Sequence, residues 1–399
     1  MISEPFIKAR PVIETIEKHR HQAYYVGGCV RDFLLKRPIG DVDITTSATP
    51  TTIQKIFPKV IPVGIEHGTV IVVYDDVPYE VTTFRVEASY SDQRHPDSVT
   101  FINQIDKDLE RRDFTINALA MDLSGNIIDL FGGKEDIQNK VIRTVGNGYE
   151  RFKEDSLRII RALRFASQLG FNIDPQTLTE MKEVSEDISH LAIERITNEF
   201  GKMFAGHYVK NGIRYLQESE SYKYLPIFKD IPNLIHQIPG TIQPLHSFGE
   251  FIALFHLLDT SVQVIDWVKQ WKCSNQVKQE AVAIVHAYSL FEKYGIHNWL
   301  VYTLDCQYYK GFTNIMNIFH PGLLDIDFMD KLYQSLPIKS RGELCMNGND
   351  LISWYPHVKK GPWIQKLLTT IEKEIIFGNL KNRKKDIKDW IKWHPPEIN

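Results

Sequence analysis

The chain has 399 residues, 43% hydrophobic and 24% charged, with a formal net charge of −3; this excludes a low-complexity or strongly basic protein and predicts about two or three folded domains. No run approaches the roughly 18 apolar residues of a membrane span, and the N-terminal stretch MISEPFIKARPVIETIEKHR lacks the apolar segment of a secretory leader. Cys29, Cys273, Cys306 and Cys345 are too far apart for a zinc site or a disulfide framework, so the expectation is a cytoplasmic protein without membrane attachment and with no stable protein partner implied.

Near-neutral charge means that any polyanion-binding surface must be local. Two candidates are the arginines of 151–164 and the stretch LKNRKKDIKDWIKW at 380–393, the second of which reads equally well as a solvated amphipathic helix.

In chain order, AYYVGG predicts a short strand running into the glycine pair Gly27 and Gly28, and VRDFLLK predicts a helix after it. DVDITTS reads as a strand, and Thr49-Pro50 opens a helix with an N-cap residue and a proline at its first position. TVIVVY and YEVTTFRV are β-branched runs joined by DDVP, a hairpin pattern, and EASYSDQRHPDSV at 87–99 is polar enough for a mobile loop. RRDFTINALA at 111–120 reads as a helix whose apolar stripe, Leu109, Ile116 and Leu119, also carries Arg112. A charge on such a face is costly unless it is paired or lines a site; pairing with Asp113 is the plainer alternative. Beyond about residue 140 helical periodicity dominates, with Gly170 as a stop after YERFKEDSLRIIRALRFASQLG. The predicted fold is an α+β N-terminal head with a small mixed sheet, followed by an all-α C-terminal region. We divide it into a head at 1–138, a helical neck at 139–205, a helical body at 206–330 and a helical tail at 331–399.

Asp41 and Asp43 are one residue apart in a predicted strand, so both carboxylates project to one face. Phosphoryl transfer calls for such a pair, because Mg²⁺ prefers oxygen ligands and bridges nucleotide phosphates. An isolated Asp-x-Asp is usually a polar strand edge. Here, however, VGGCVRDFLL lies just upstream, where glycines let backbone N–H groups approach phosphate oxygens and Arg31 can add a bidentate contact. Glu80 in YEVTTFR is the candidate for a third carboxylate.

G-G-x-V-R-D-x-L-L followed by D-x-D resembles the signature of polymerase-β-type nucleotidyltransferases, in the branch containing tRNA CCA-adding enzymes and bacterial poly(A) polymerases. The resemblance implies Gly27, Gly28 and Arg31 at the triphosphate and Asp41 and Asp43 on Mg²⁺. RRDFTINALA is similar to the second motif of that family, which implies that Arg112 and Asp113 hold the nucleotide's sugar and phosphates. DLFGGKEDIQNKVIRTVG at 129–146 is similar to its third, a joint between head and helices.

In EDSLRIIRALRFA at 154–166, a helix turning about 100° per residue buries Phe152, Ile159, Ile160, Leu163 and Ala166 on one arc. Arg158, Arg161 and Arg164 then form a basic strip. Asp155 sits beside Arg158, so these two form the natural pair, with Arg161 and Arg164 better placed for phosphates or RNA. Cytosine and adenine both present an amino donor beside a ring-nitrogen acceptor, whereas uracil and guanine reverse that order. An Asp–Arg pair therefore accepts C and A and leaves buried groups unpaired against U and G; a surface ion pair is the plainer reading. E-D-x-x-R followed by R-A-L-R-F-A resembles the base-reading motif of the bacterial and eukaryotic class of CCA-adding enzymes, and ERITNE at 194–199 resembles their supporting fifth motif, with no direct role expected for Glu194 or Arg195. GELCMNGNDL and KKGPWIQKLL resemble the family's C-terminal region less specifically.

The resemblance implies addition of CCA to the 3′ end and acceptor arm of tRNA from CTP and ATP. Poly(A) polymerases of this branch carry a G-[RK]-[RK]-F run where this chain has PVGIEHGTVIVVY, and enzymes adding only CC lack part of the loop that here includes Arg94. A silent RNA-binding protein on the same scaffold would be expected to lose Asp41, Asp43 or Arg31.

Overall fold

The computed structural model describes residues 3–87 and 98–395, so Arg94 lies outside the described residues. The chain divides into two compact units, Met1–Gln237 and Ile238–Asn399.

The first unit opens with α1 (Glu4–Lys18), whose Phe6, Ala9, Val12, Ile13 and Ile16 recur at helical spacing and are fully buried. They pack on β1 (Ala23–Val26), where the Tyr25 hydroxyl donates to the Phe6 carbonyl at 2.8 Å. After α2 (Gly28–Leu34), β2 (Ile44–Thr46) and α3 (Pro50–Ile56) follow, and Thr49 caps α3 as expected. Next come β3 (Val60–Gly64), β4 (Thr69–Tyr74) and β5 (Val77–Thr83). The expected hairpin joins β4 to β5 through Asp75 and Asp76, both left-handed (φ 49° and 59°). That is the mirror-image turn that matches strand twist.

A small ribbon, β6 (Arg85–Glu87) with β7 (Val99–Phe101), precedes α4 (Ile105–Glu110), β8 (Leu119–Met121) and β9 (Ile127–Asp129). The main sheet has seven strands in the order β3-β4-β5-β2-β1-β8-β9. All its pairings are antiparallel except β2 with β5, so the sheet is mixed.

The remaining elements of this unit are α5 (Gly133–Asn139), β10 (Val141–Ile142), α6 (Gly148–Glu154), α7 (Leu157–Leu169), β11 (Asn172–Ile173), α8 (Pro175–Val184), α9 (Ile193–Phe204) and α10 (Val209–Glu218). Two-residue strands such as β10 and β11, which pair in parallel, are too short to leave a periodic signal.

Three expectations need correction. Residues 111–120 are not a helix: α4 ends at Glu110, residues 115–117 make one 3₁₀ turn, and Leu119 opens β8. Asp113 Oδ1 accepts from the Phe114 N–H at 2.8 Å, and Phe114 is extended. A short acidic side chain thus offers the backbone an alternative to the helix. Leu109, Ile116 and Leu119 are all fully buried, but from three different elements. The strand expected over DVDITTS starts only at Ile44, although Val26 N donates to the Asp43 carbonyl at 3.0 Å and extends the ladder by one residue. The helix expected across 154–166 breaks at Asp155, whose backbone is extended (φ −148°, ψ 100°), so α6 and α7 are separate. The buried arc on α7 holds nonetheless: Ile159, Ile160, Leu163 and Ala166 are fully buried.

The second unit is helical among its described residues: α11 (Phe248–Leu258), α12 (Val264–Gln270), α13 (Asn275–Tyr294), α14 (Asn298–Thr303), α15 (Tyr309–Phe319), α16 (Ile326–Ser335), α17 (Gly348–Trp354), α18 (Trp363–Ile376) and α19 (Lys384–Trp393). Phe251, Phe255, Trp267 and Trp271 cluster in its core. On α19, Ile387 and Ile391 are buried while the lysines face out. Among the described residues no helix is long and apolar enough to cross a membrane.

Gly133 shows how closely α5 packs on the turn at 115–117: a Cβ there would lie 2.3 Å from the Thr115 carbonyl oxygen. Gly133→Ala is expected to cost about 1–3 kcal/mol by overpacking, lowering Tm by about 2–4 °C per kcal/mol in a unit of this size. Gly240, with nothing within 4 Å of a built Cβ, is the control. Thermal unfolding of both alanine variants checks this, and an unchanged Tm for Gly133→Ala would contradict the packing.

Candidate active site

The strand-to-helix turn organises the site. Gly27 closes β1 and caps α2 with φ 79°, a conformation that favours glycine. Its N–H donates to the Leu119 carbonyl at 3.0 Å, which ties the turn to β8. Two guanidinium groups lean on this turn. Arg112 Nη1 lies 3.1 Å from where a Cβ on Gly27 would sit, and Arg31 Nη2 lies 3.6 Å from the same position on Gly28. Two cations against a glycine turn at a helix start are groups whose chemistry suits an anion.

Arg31 is buried and fully oriented. Its Nη1 donates to Asn117 Oδ1 at 2.6 Å, and its Nε and Nη2 donate to Asp32 at 3.0 and 3.1 Å. Asn117 passes the contact on, since its Nδ2 donates to Asp113 Oδ1 at 3.1 Å. Asp113 Oδ2 in turn accepts from Arg161 Nε at 2.8 Å and Nη2 at 2.6 Å. Burial alone would raise the Asp113 pKa, but Arg161 and the Asn117 amide outweigh it and hold the carboxyl well below its usual range. Arg112 therefore pairs not with Asp113 but with Asp108, at 3.3 Å. Asp108 lies one helical turn back, the Arg112 N–H still donates to the Leu109 carbonyl at 3.2 Å, and Asp113 is taken by Arg161.

Phe165 supplies the apolar floor. The guanidinium carbons of Arg31, Arg161 and Arg164 lie 5.2, 5.4 and 4.4 Å from its ring centre, within cation–π range. Arg164 Nε is 3.0 Å from Glu199 Oε2. Burial, followed by the charges of Arg161 and Arg31, pulls the Arg164 pKa down to about 10.

The carboxylates meet through strand register. Ile44 of β2 stands opposite Val81 of β5 in the parallel pair, so Asp43 and Glu80, each one residue earlier, are neighbours on one face. Asp41 is exposed, Val42 buried and Asp43 half-buried, which is the alternation of an extended segment. Burial, Glu80 and Asp41 together push the Asp43 carboxyl up to about 6, against the opposing pull of Arg112. Crowded carboxylates of this kind are relieved by a divalent cation. Among the described residues no group of three or more His, Cys, Asp or Glu is placed to hold a metal ion. An open edge with one or two carboxylates fits Mg²⁺, which keeps waters and takes substrate phosphate oxygens as ligands. Asp41 and Asp43 could hold it, with Glu80 beside them.

The side chains of the expected reader residues bond to other groups, although the Arg158 N–H donates to the Asp155 carbonyl at 3.0 Å. Asp155 Oδ2 accepts from Arg195 Nη2 at 2.8 Å and its Oδ1 from the Leu157 N–H at 3.1 Å. Arg158 is buried and pairs with Glu154, its Nη1 and Nη2 also donating to the carbonyls of Arg151 at 2.8 Å and Arg111 at 3.3 Å. The extended backbone at Asp155 cancels the helical spacing that predicted an Asp155–Arg158 ion pair. Arg195 thus contacts Asp155, although no direct role was expected for it. Asn117 and Asp108 were also missed. Asn117 stood in the motif R-R-D-F-x-x-N-A, so the signal existed; Asp108 stood outside every motif.

Three family models match the chain: the poly A polymerase head domain over residues 23–143, a probable RNA and SrmB-binding site of polymerase A over 170–231, and a putative tRNA nucleotidyltransferase domain 2 over 247–391. The chain is 46% identical to the CCA-adding enzyme of Oceanobacillus iheyensis over 400 residues, covering 100% of both. It is 41% identical to that of Bacillus cytotoxicus, covering 97% of this chain and 98% of the relative. It also superposes on the crystal structure of the Bacillus stearothermophilus CCA-adding enzyme in complex with CTP, with a TM-score of 0.88, 36% identity and 98% coverage of each chain. With a nucleotidyltransferase head and relatives matched along its whole length, the chain belongs to the family of CCA-adding enzymes.

Proposed function

We propose that this enzyme completes the 3′ end of tRNA by adding C, C and A from CTP and ATP, releasing one pyrophosphate at each step. The observation that carries this reading is the juxtaposition of two guanidinium groups on the Gly27–Gly28 turn with the crowded carboxylates of Asp43 and Glu80. The names of the relatives, and the CTP bound in the Bacillus stearothermophilus structure, support the choice of CCA addition over adenosine tracts.

In this reading the RNA 3′-hydroxyl oxygen bonds to the α-phosphorus as the bond to pyrophosphate breaks. Asp41 and Asp43 would hold Mg²⁺, with a second ion expected on the triphosphate; when bound, the metal would offset phosphate charge and ease loss of the hydroxyl proton to solvent. Arg31, held rigid by Asn117 and Asp32, and Arg112 orient the triphosphate against the glycine turn. Asp113 orients Arg161 beside Arg31 over the Phe165 ring and holds it there ionised. Arg164 lies on the same face of α7 over Phe165 and adds positive charge for phosphates or RNA.

Asp155 and Arg158 read the base. Each Asp155 oxygen already accepts one hydrogen bond, from Leu157 or Arg195, and a carboxylate oxygen can accept a second from a base amino group. Arg158 supplies the donor to the ring nitrogen. Cytosine and adenine satisfy both; uracil and guanine satisfy neither.

The reading is tested with Mg²⁺ and tRNA transcripts ending before CCA, after C and after CC, each given single labelled nucleotides. Stepwise C, C, A and then arrest is expected. Arrest after CC would mean a CC-adding enzyme, a long adenosine tract a poly(A) polymerase, and no addition with tRNA still bound a silent RNA-binding protein.

Asp43→Asn or Asp41→Ala should lower addition at least about 10³-fold. Asp43→Asn should leave Tm unchanged or raise it, since it removes a negative charge pressed against Glu80. Normal turnover by either variant would sink the metal assignment. Asp155→Ala should lose at least about 10-fold in discrimination of CTP over UTP before triphosphate binding is lost. Unchanged nucleotide choice would rule out the Asp–Arg reader.

A further inference from the structure

Asp108, near the end of α4, is fully shielded from solvent. A buried carboxylate is tolerated only with strong partners, and this one has them on several segments. Its Oδ1 accepts from Arg111 Nη2 at 2.8 Å, Arg111 Nε at 3.0 Å and the Arg85 N–H at 3.4 Å. Its Oδ2 accepts from Arg112 Nη2 at 3.3 Å and lies at the same distance from the Thr45 hydroxyl on β2.

Arg112 depends on this contact. Among the described residues the one hydrogen bond of its guanidinium is to Asp108, and its buried Nε has no partner. Arg111 extends the arrangement the other way: its guanidinium reaches Glu87 at 3.1 Å, and its carbonyl accepts from Arg158 Nη2 at 3.3 Å. One carboxylate therefore touches the strand next to Asp43, the start of the β6–β7 ribbon and the arginine facing the glycine turn. Through Arg111 it also reaches the arginine of the base reader.

We propose that Asp108 is a positioning residue for nucleotide selection: it aims Arg112 at the Gly27–Gly28 turn and links that aim to Arg158 through Arg111. The inference rests on the nucleotide-addition reading above. It differs from a purely structural role because it acts through Arg112. A structural role would lower stability and turnover without shifting nucleotide affinity or choice.

The test uses the full chain, Mg²⁺ and tRNA transcripts lacking CCA or ending in CC. Asp108→Asn should raise KM for CTP and ATP about 10-fold, the effect of losing a hydrogen bond to a charged group, and weaken rejection of UTP, while the tRNA Kd is unchanged. In an Arg112→Ala background the same substitution should change KM by under about 2-fold, because coupled residues are not additive. Equal KM increases in both backgrounds would overturn the proposal, and so would a wild-type KM in Asp108→Asn. If Asp108→Asn does not fold, Asp108→Glu, which keeps the charge and moves it by one methylene, is measured in the same two backgrounds and judged by the same outcomes. A wild-type chain that adds no nucleotide would overturn the nucleotide-addition reading itself. Wild-type addition with an unaffected Asp108→Asn variant would overturn this inference alone.

Discussion

A guanidinium group can be buried only if an acid or a row of acceptors meets it, and that requirement shapes the head of this enzyme. Arg31 is held by Asp32 and Asn117, Arg111 and Arg112 by Asp108, Arg158 by Glu154, Arg161 by Asp113, and Arg164 lies against Glu199. These acids come from α2, α4, α6, α9 and the segment after α4. Three of these contacts, Arg31 with Asn117, Arg161 with Asp113 and Arg164 with Glu199, join segments far apart in the chain, so they form only when those elements assemble. What results is a rigid field of positive charge, set before the anionic substrate arrives.

The negative side of the site has a different origin. Asp43 and Glu80 are far apart in sequence, and the one parallel pairing of the sheet, β2 with β5, makes them neighbours. The sheet thereby places mutually repelling carboxylates where a cation can offset them, near the arginine that leans on the glycine turn. The charge layout thus follows from strand register on one side and from ion pairing on the other. Arg112 lies close enough to both to pull on the Asp43 carboxyl and to face Gly27.

Much of this was legible in the amino-acid sequence. The mixed α/β head, the helical remainder, the hairpin at Asp75–Asp76, the cap at Thr49 and the stop at Gly170 all rest on local chemistry, namely turn residues, caps and short-range periodicity. The glycine turn with Arg31 and the Asp-x-Asp pair were legible for the same reason, because their geometry is set within a dozen or so residues of chain. The local reading failed at RRDFTINALA. Asp113 bonds the next backbone N–H, and Phe114 bridges to Thr144, so a tertiary contact and a side-chain cap override helical periodicity.

The sequence by itself determined which residues carry charge and which short segments turn, because those properties belong to neighbours along the chain. Only the tertiary structure decided the pairings. It joined Asp113 to Arg161 and Asp155 to Arg195, and it set Glu80 beside Asp43. An ion pair is chosen by distance in space and by shielding from water. Periodicity along one helix cannot supply either when, as at Asp155, the helix itself breaks.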